Sequence, residues 1–309
     1  MDGSSLARLR GRLVDMLDEA SAEVERESQL IASPRAELLV VDRHAWIGGN
    51  TRTLQTLFGE LDLPSLQSTI VAWEGGAFVG LLARAVLAQY DPFRDQLLVV
   101  YPNLGDFLDD DGLRFLLLHE VTHVAQFRAA PWIADRIVQT GRELLSLQKT
   151  GAQKDMARRF REALPDIIKW LKDTLEGKST PSPLFDLLPE EQREAVKNVN
   201  AIVTLLEGHA THITDLAAQR VLADYDGMMR VVNTRKRRPP IIRLLEAIGG
   251  IEMKRQQYVI GHEFCKKIWE HGGADALAPA WRGPEWAPTS DELANPEAWL
   301  ARVSASSHA

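Results

Sequence analysis

Cysteine is almost missing from this chain. Cys265 stands alone among 309 residues, so no internal disulfide can form and no thiolate zinc ribbon or finger can be assembled. A reducing compartment suits that composition, and a cytoplasmic location is the expectation. A basic surplus is missing as well: 36 Lys and Arg against 43 Asp and Glu give a net charge of −7, which offers no general attraction to nucleic acid or to an anionic membrane. No apolar run approaches the roughly 18 residues of a membrane span. Near the N-terminus, acidic residues interrupt any stretch of signal-peptide length, so no export signal is expected. Nor is there an internal repeat with a period of about 20 to 50 residues, which excludes solenoid and propeller arrays.

What is present points to a globular body. With 45% hydrophobic and 26% charged residues, the chain can bury a sizeable core. The expected class is α+β, mostly α. Leu6, Leu9, Leu13, Met16 and Leu17 mark one helix face at the start. Three runs, AELLVVD (36–42), STIVAW (68–73) and QLLVVYP (96–102), predict strands of one small sheet. Beyond Gly112 the three- and four-residue spacing of apolar positions predicts helix almost to the end, broken most clearly at GKSTPSP (177–183). A single domain over 1–309 is expected, with a helix-and-sheet portion to about residue 110 and a helical portion after it. The C-terminal segment mixes tryptophan with proline and carries capping-box spacing at Thr289 to Glu292, and it is expected to wrap over the body.

The chemistry concentrates in RFLLLHEVTHVAQF (114–127). On a helix, His119 and His123 project about 40° apart, so both imidazoles can reach one metal ion, with Glu120 to the side. The helix is apolar nearly all round, through Leu113, Phe115 to Leu118, Val121, Val124 and Phe127, and is therefore expected to be buried. Burying unpartnered polar groups costs about 2 to 7 kcal/mol each, and a metal ion would satisfy these. The plainer alternative is a core helix whose histidines hydrogen-bond to backbone. A catalytic zinc keeps three protein ligands and one open position. Candidates for the third cluster in LLEGHATHITD (205–215): Glu207, His209, His212 and Asp215. Glu207 and His209 point about 160° apart on a helix, so they cannot serve the same ion together.

Together, LLLHEVTHVAQF, PWIADRI, LLEGHATHITD and MKRQQYVIGHEF resemble the zincin-like metallohydrolases of actinobacteria and their relatives, some of which are labelled as associated with deazaflavin coenzyme biosynthesis. VVDRHAWIGGN near the front and PTSDELANPEAWLARV near the end extend the likeness over most of the chain. The resemblance implies a zincin-like fold with zinc as cofactor, His119 and His123 as ligands, Glu120 as general base and Glu207 as third ligand. Better-known glutamate zincins carry an aspartate four residues after that ligand. Here the position is Thr211, and Asp215 is the candidate for the supporting role.

The function expected is a zinc-dependent hydrolase, a metallopeptidase or amidase acting on a peptide or amide substrate. The alternative is a non-catalytic binding or scaffold protein associated with deazaflavin metabolism. An oxyanion donor is needed, and Tyr258, His212 and His209 are candidates. QLLVVYP suggests a sheet edge on which an extended substrate could align. RKRR (235–238) reads as a solvated loop rather than a nucleic-acid site. WIGGN (46–50) lacks the lysine and spacing of a phosphate loop and is expected to turn the chain into a helix begun by Asn50.

Overall fold

Leu9, Leu13, Met16, Leu17, Ala20 and Val24 lie three or four residues apart, and they form the buried stripe of the first helix, α1 (Gly3–Ser28). In the computed structural model, the described residues are 3–58, 83–84, 86–146, 161–166, 168–169, 190–235 and 256–306. The expected strand at 68–73, the breaker at 177–183 and residues 236–238 of the basic run lie outside them. The chain divides into two compact units. One comprises Met1–Pro131 with Ala210–Arg237, the other Trp132–His209 with Arg238–Ala309.

The first unit holds α1, β1 (Glu37–Val41), α2 (Arg43–Phe58), β2 (Ala88–Asp91), β3 (Gln96–Val100) and α3 (Asp110–Ala129). It also takes the end of α5 (Glu190–Val221) and then α6 (Tyr225–Arg235). The strand order is β1-β3-β2, with β1 parallel and β2 antiparallel to β3. Leu97 to Val100 of β3 are all buried, as expected for a strand flanked on both sides. QLLVVYP is therefore the central strand and not the edge, because β2 occupies its other flank. Among the described residues β2 is an edge strand. Its four residues, AQYD, contain no β-branched side chain, and that is why pattern alone did not mark it.

WIGGN is also corrected. It lies inside α2, which starts seven residues before Asn50 because the Asp42 carboxylate accepts the Ala45 N–H at 2.7 Å and caps the first turn. Asn50 does not begin the helix; its side chain donates back to the Trp46 carbonyl. At Gly49 a Cβ would stand 3.0 Å from the Arg94 guanidinium, the far end of a flexible side chain.

α3 packs along α1, and its start is capped by Asp109, whose side chain accepts the Gly112 N–H. Asp110 and Asp111 in the first turn complement the positive helix end. At the other end, Arg128 donates to both Asp95 carboxylate oxygens at 3.0 and 3.1 Å and to the carbonyls of Ala32 and Pro34. The tight β2–β3 connection, where Asp95 has φ 51°, is thereby tied to the end of α3.

The second unit holds α4 (Trp132–Ser146), α5 up to His209, α7 (Gln256–Leu277), α8 (Ser290–Ala294) and α9 (Pro296–Ser306). α7 is interrupted at Gly272 and Gly273, where Gly273 takes φ 63°. The tryptophan-rich tail packs on α7 through α8 and α9. Trp299 is fully buried against Phe264 and donates to the Trp286 carbonyl at 2.8 Å. The capping box at Thr289 and Glu292 is present. No helix among the described residues is long and apolar enough to cross a membrane.

Candidate metal centre

Two helices supply the ligand-type side chains. On α3, residues 116 to 118, 120 to 122 and 124 to 126 are buried, which fixes the helix rotationally and leaves His119 and His123 half-buried on one face. Their rings meet edge to face at 88°, with Nε2 of one 3.3 Å from Nε2 of the other. Two nitrogens at adjacent corners of a tetrahedron around zinc, each about 2.0 to 2.1 Å from the ion, stand about 3.3 to 3.4 Å apart. The pair thus has the spacing of two zinc ligands, and is longer than the usual 2.7 to 3.2 Å of an N–H hydrogen bond.

Each of two neighbours on this helix has a bond that sets its role. Nδ1–H of His123 donates to Oε1 of Gln126 at 2.8 Å, which leaves the Nε2 lone pair facing His119. The buried Glu120 carboxylate accepts the Tyr90 backbone N–H at 3.0 Å. Val100 donates to the Leu87 carbonyl, so in the alternating antiparallel ladder Tyr90 turns its N–H away from β3 and toward Glu120. Burial, then the hydrogen bond to Asp95, hold the Tyr90 phenol well above its ordinary pKa, so it stays protonated as donor.

On α5, residues 201 to 210 are buried without exception. The reason is visible at Gly208. A Cβ there would stand 2.2 Å from the Gly261 carbonyl carbon, and a Cβ at Gly261 would stand 2.4 Å from the Thr204 carbonyl oxygen. α5 and α7 therefore cross with their backbones in contact, one residue from Glu207, whose exposure is only 4%. His209, next along, turns its ring edge-on to Trp281 at 4.8 Å between centroids.

α5 runs unbroken from Glu190 to Val221. Among the described residues, His119, His123 and Glu207 form a group that could hold a metal ion, with one ligand atom from each lying within 4.8 Å of the others. The donor set fits the ion: two imidazoles and one carboxylate are what catalytic zinc commonly takes.

The remaining candidates scatter. His44 is exposed on α2, His271 is exposed and bonded to the Lys267 carbonyl, His262 is half-buried on α7, and His308 lies outside the described residues. His212 is buried on α5. Asp215 is half-buried near Tyr225, whose phenol pKa is raised by burial first and then by the Asp215 charge. Tyr258 falls in α7, but its side chain is outside what is described. Sequence reasoning missed Gln126 and the Tyr90 amide. Gln126 follows His119 by seven residues and His123 by three, a spacing that places all three on one helix face.

A family model described as zincin-like metallopeptidase matches residues 1–300. No curated protein matches. A crystal structure from Chloroflexus aurantiacus, described as that of "a putative hydrolase with a novel fold", is similar with a TM-score of 0.71 at 22% identity, covering 98% of this chain and 92% of that one. At that identity the likeness concerns the fold.

Proposed function

The chain belongs to the zincin-like metallopeptidase family, and from that premise we propose that it is a zinc-dependent hydrolase of peptide or amide bonds. The observation that carries the reading is the grouping of His119, His123 and Glu207 with Glu120 on the same helix as the two histidines. These three residues would hold the zinc, which when bound supplies Lewis acidity and a water acidified toward neutrality. Glu120 would serve as the proton acceptor for an attacking water and return the proton to the leaving group. The Tyr90 backbone N–H, donated to Oε2, holds the Glu120 carboxylate in one orientation. β2 supports an extended substrate, because it is one of the two edge strands of the described sheet and it passes beside the base. His212 and His209 remain the candidate oxyanion donors within the described side chains. The lone cysteine is consistent with action in a reducing compartment.

One observation favours a second, non-catalytic reading: the Tyr90 bond gives Glu120 a structural use that needs no reaction. A single substitution separates the two. Glu120→Gln keeps an oxygen for the Tyr90 amide but cannot take a proton. Screened against a fluorogenic peptide and amide panel, the zinc-loaded wild-type protein should release product, and Glu120→Gln should be slower by about 10² to 10⁴ at equal zinc content. Equal rates in both would remove Glu120 from the chemistry, and no turnover on any member would favour the binding role.

A further inference from the structure

We infer that Gln126 is a positioning residue for the metal ligand His123, holding the ring in the one tautomer that can coordinate through Nε2. This rests on the metallohydrolase reading and extends it to a residue that is neither ligand nor base. Gln126 is fully buried, at 0% exposure, on a helix where a polar side chain without a task would be costly. Its Oε1 stands 2.8 Å from Nδ1 of His123, one turn further along α3. A carbonyl oxygen is only an acceptor, so Nδ1 carries the proton and Nε2 carries the lone pair. That lone pair is on the side of the ring where Nε2 of His119 lies 3.3 Å away. Without the acceptor, a neutral imidazole divides between two tautomers, and the Nε2-protonated one cannot bind an ion through that atom. The acceptor is neutral, in contrast to the carboxylates that often support histidine ligands, so it orients His123 without adding negative charge beside the ion.

The test uses the full-length chain, stripped of metal and titrated with zinc against a chromophoric chelator of known affinity. Gln126→Leu should weaken zinc binding by about 10- to 100-fold. Gln126→Glu, which keeps an acceptor oxygen at the same reach, should bind as tightly as wild type or more tightly. A readout independent of metal comes from histidine-selective ¹⁵N spectra of the metal-free protein near pH 8, where an ordinary imidazole is neutral. With the His123 signals identified by their loss in His123→Ala, wild type should show Nδ1 protonated and Gln126→Leu a tautomer mixture. The inference is overturned by wild-type affinity in a folded Gln126→Leu, by Gln126→Glu as weak as Gln126→Leu, or by a wild-type His123 protonated at Nε2. Should Gln126→Leu fail to fold, Gln126→Glu and the wild-type spectrum still decide. A wild-type protein that takes up no zinc overturns the metallohydrolase reading itself, a result distinct from any of these.

Discussion

α3 and α5 both carry side chains of the proposed zinc site, yet they fix them by opposite means. On α3 the polar groups are held by hydrogen bonds with their own surroundings: His123 donates to Gln126, and Glu120 accepts from the Tyr90 N–H. On α5 the constraint is steric: Gly208 lets the backbone touch Gly261, and Glu207 is set in place by how closely two helices approach. The contrast predicts different failures. A substitution on α3 can remove one bond and spare the helix, whereas a single methyl group at Gly208 must move a helix.

Gly208→Ala should therefore have the largest effect on stability. Overpacking a tight contact costs about 1 to 3 kcal/mol, and a Cβ only 2.2 Å from backbone belongs at the upper end. Urea denaturation should show a lower midpoint. An unchanged midpoint would mean that α5 is not fixed sterically.

On α3 the comparison is sharpened by Glu120→Leu, which leaves the buried Tyr90 amide without its acceptor. The expected loss is about 1 to 3 kcal/mol, whereas Glu120→Gln, still an acceptor, should lose less than about 1 kcal/mol. Equal losses in the two variants would show that the bond is not what α3 depends on.

The smallest effect is expected at a surface cap outside both helices. Burial raises the Glu292 pKa, but the Arg302 and Thr289 hydrogen bonds outweigh it and hold the group below its ordinary 4.5. A carboxylate with a depressed folded-state pKa stabilises above its unfolded value, and that contribution fades as pH falls through the folded one. Glu292→Gln keeps the cap shape and loses the charge. Its deficit against wild type, about 0.5 to 1 kcal/mol near neutrality, should shrink as pH drops below 4.5. A deficit independent of pH would assign the effect to packing.

Legibility in the sequence followed the same division. α3 was readable because motif, apolar periodicity and the acidic first turn agree, and α1 because its stripe is regular. The sheet was only partly readable. β2 is too short and too polar to signal itself, and a glycine pair in WIGGN imitated a turn where Asp42 had already started a helix. Glu207 could not be chosen from helical angles alone, since burial runs right round α5 and four ligand-type residues lie within nine positions. The likeness to a known family selected it; among the described residues it lies in a group with His119 and His123 that could hold a metal ion. Gln126 escaped notice because glutamine is not a usual ligand, although its spacing from both histidines was on view.

The most direct test of the zinc site is the metal content of stripped and reloaded protein, measured by mass spectrometry across a small set of variants. The account predicts one zinc per chain in wild type and in Glu120→Gln, and loss of zinc in His119→Ala, His123→Ala and Glu207→Ala. Full zinc in Glu207→Ala, with loss in His212→Ala or Asp215→Ala, would contradict the assigned third ligand. A wild-type chain that binds no transition metal when zinc is supplied near neutral pH would contradict the claim as a whole.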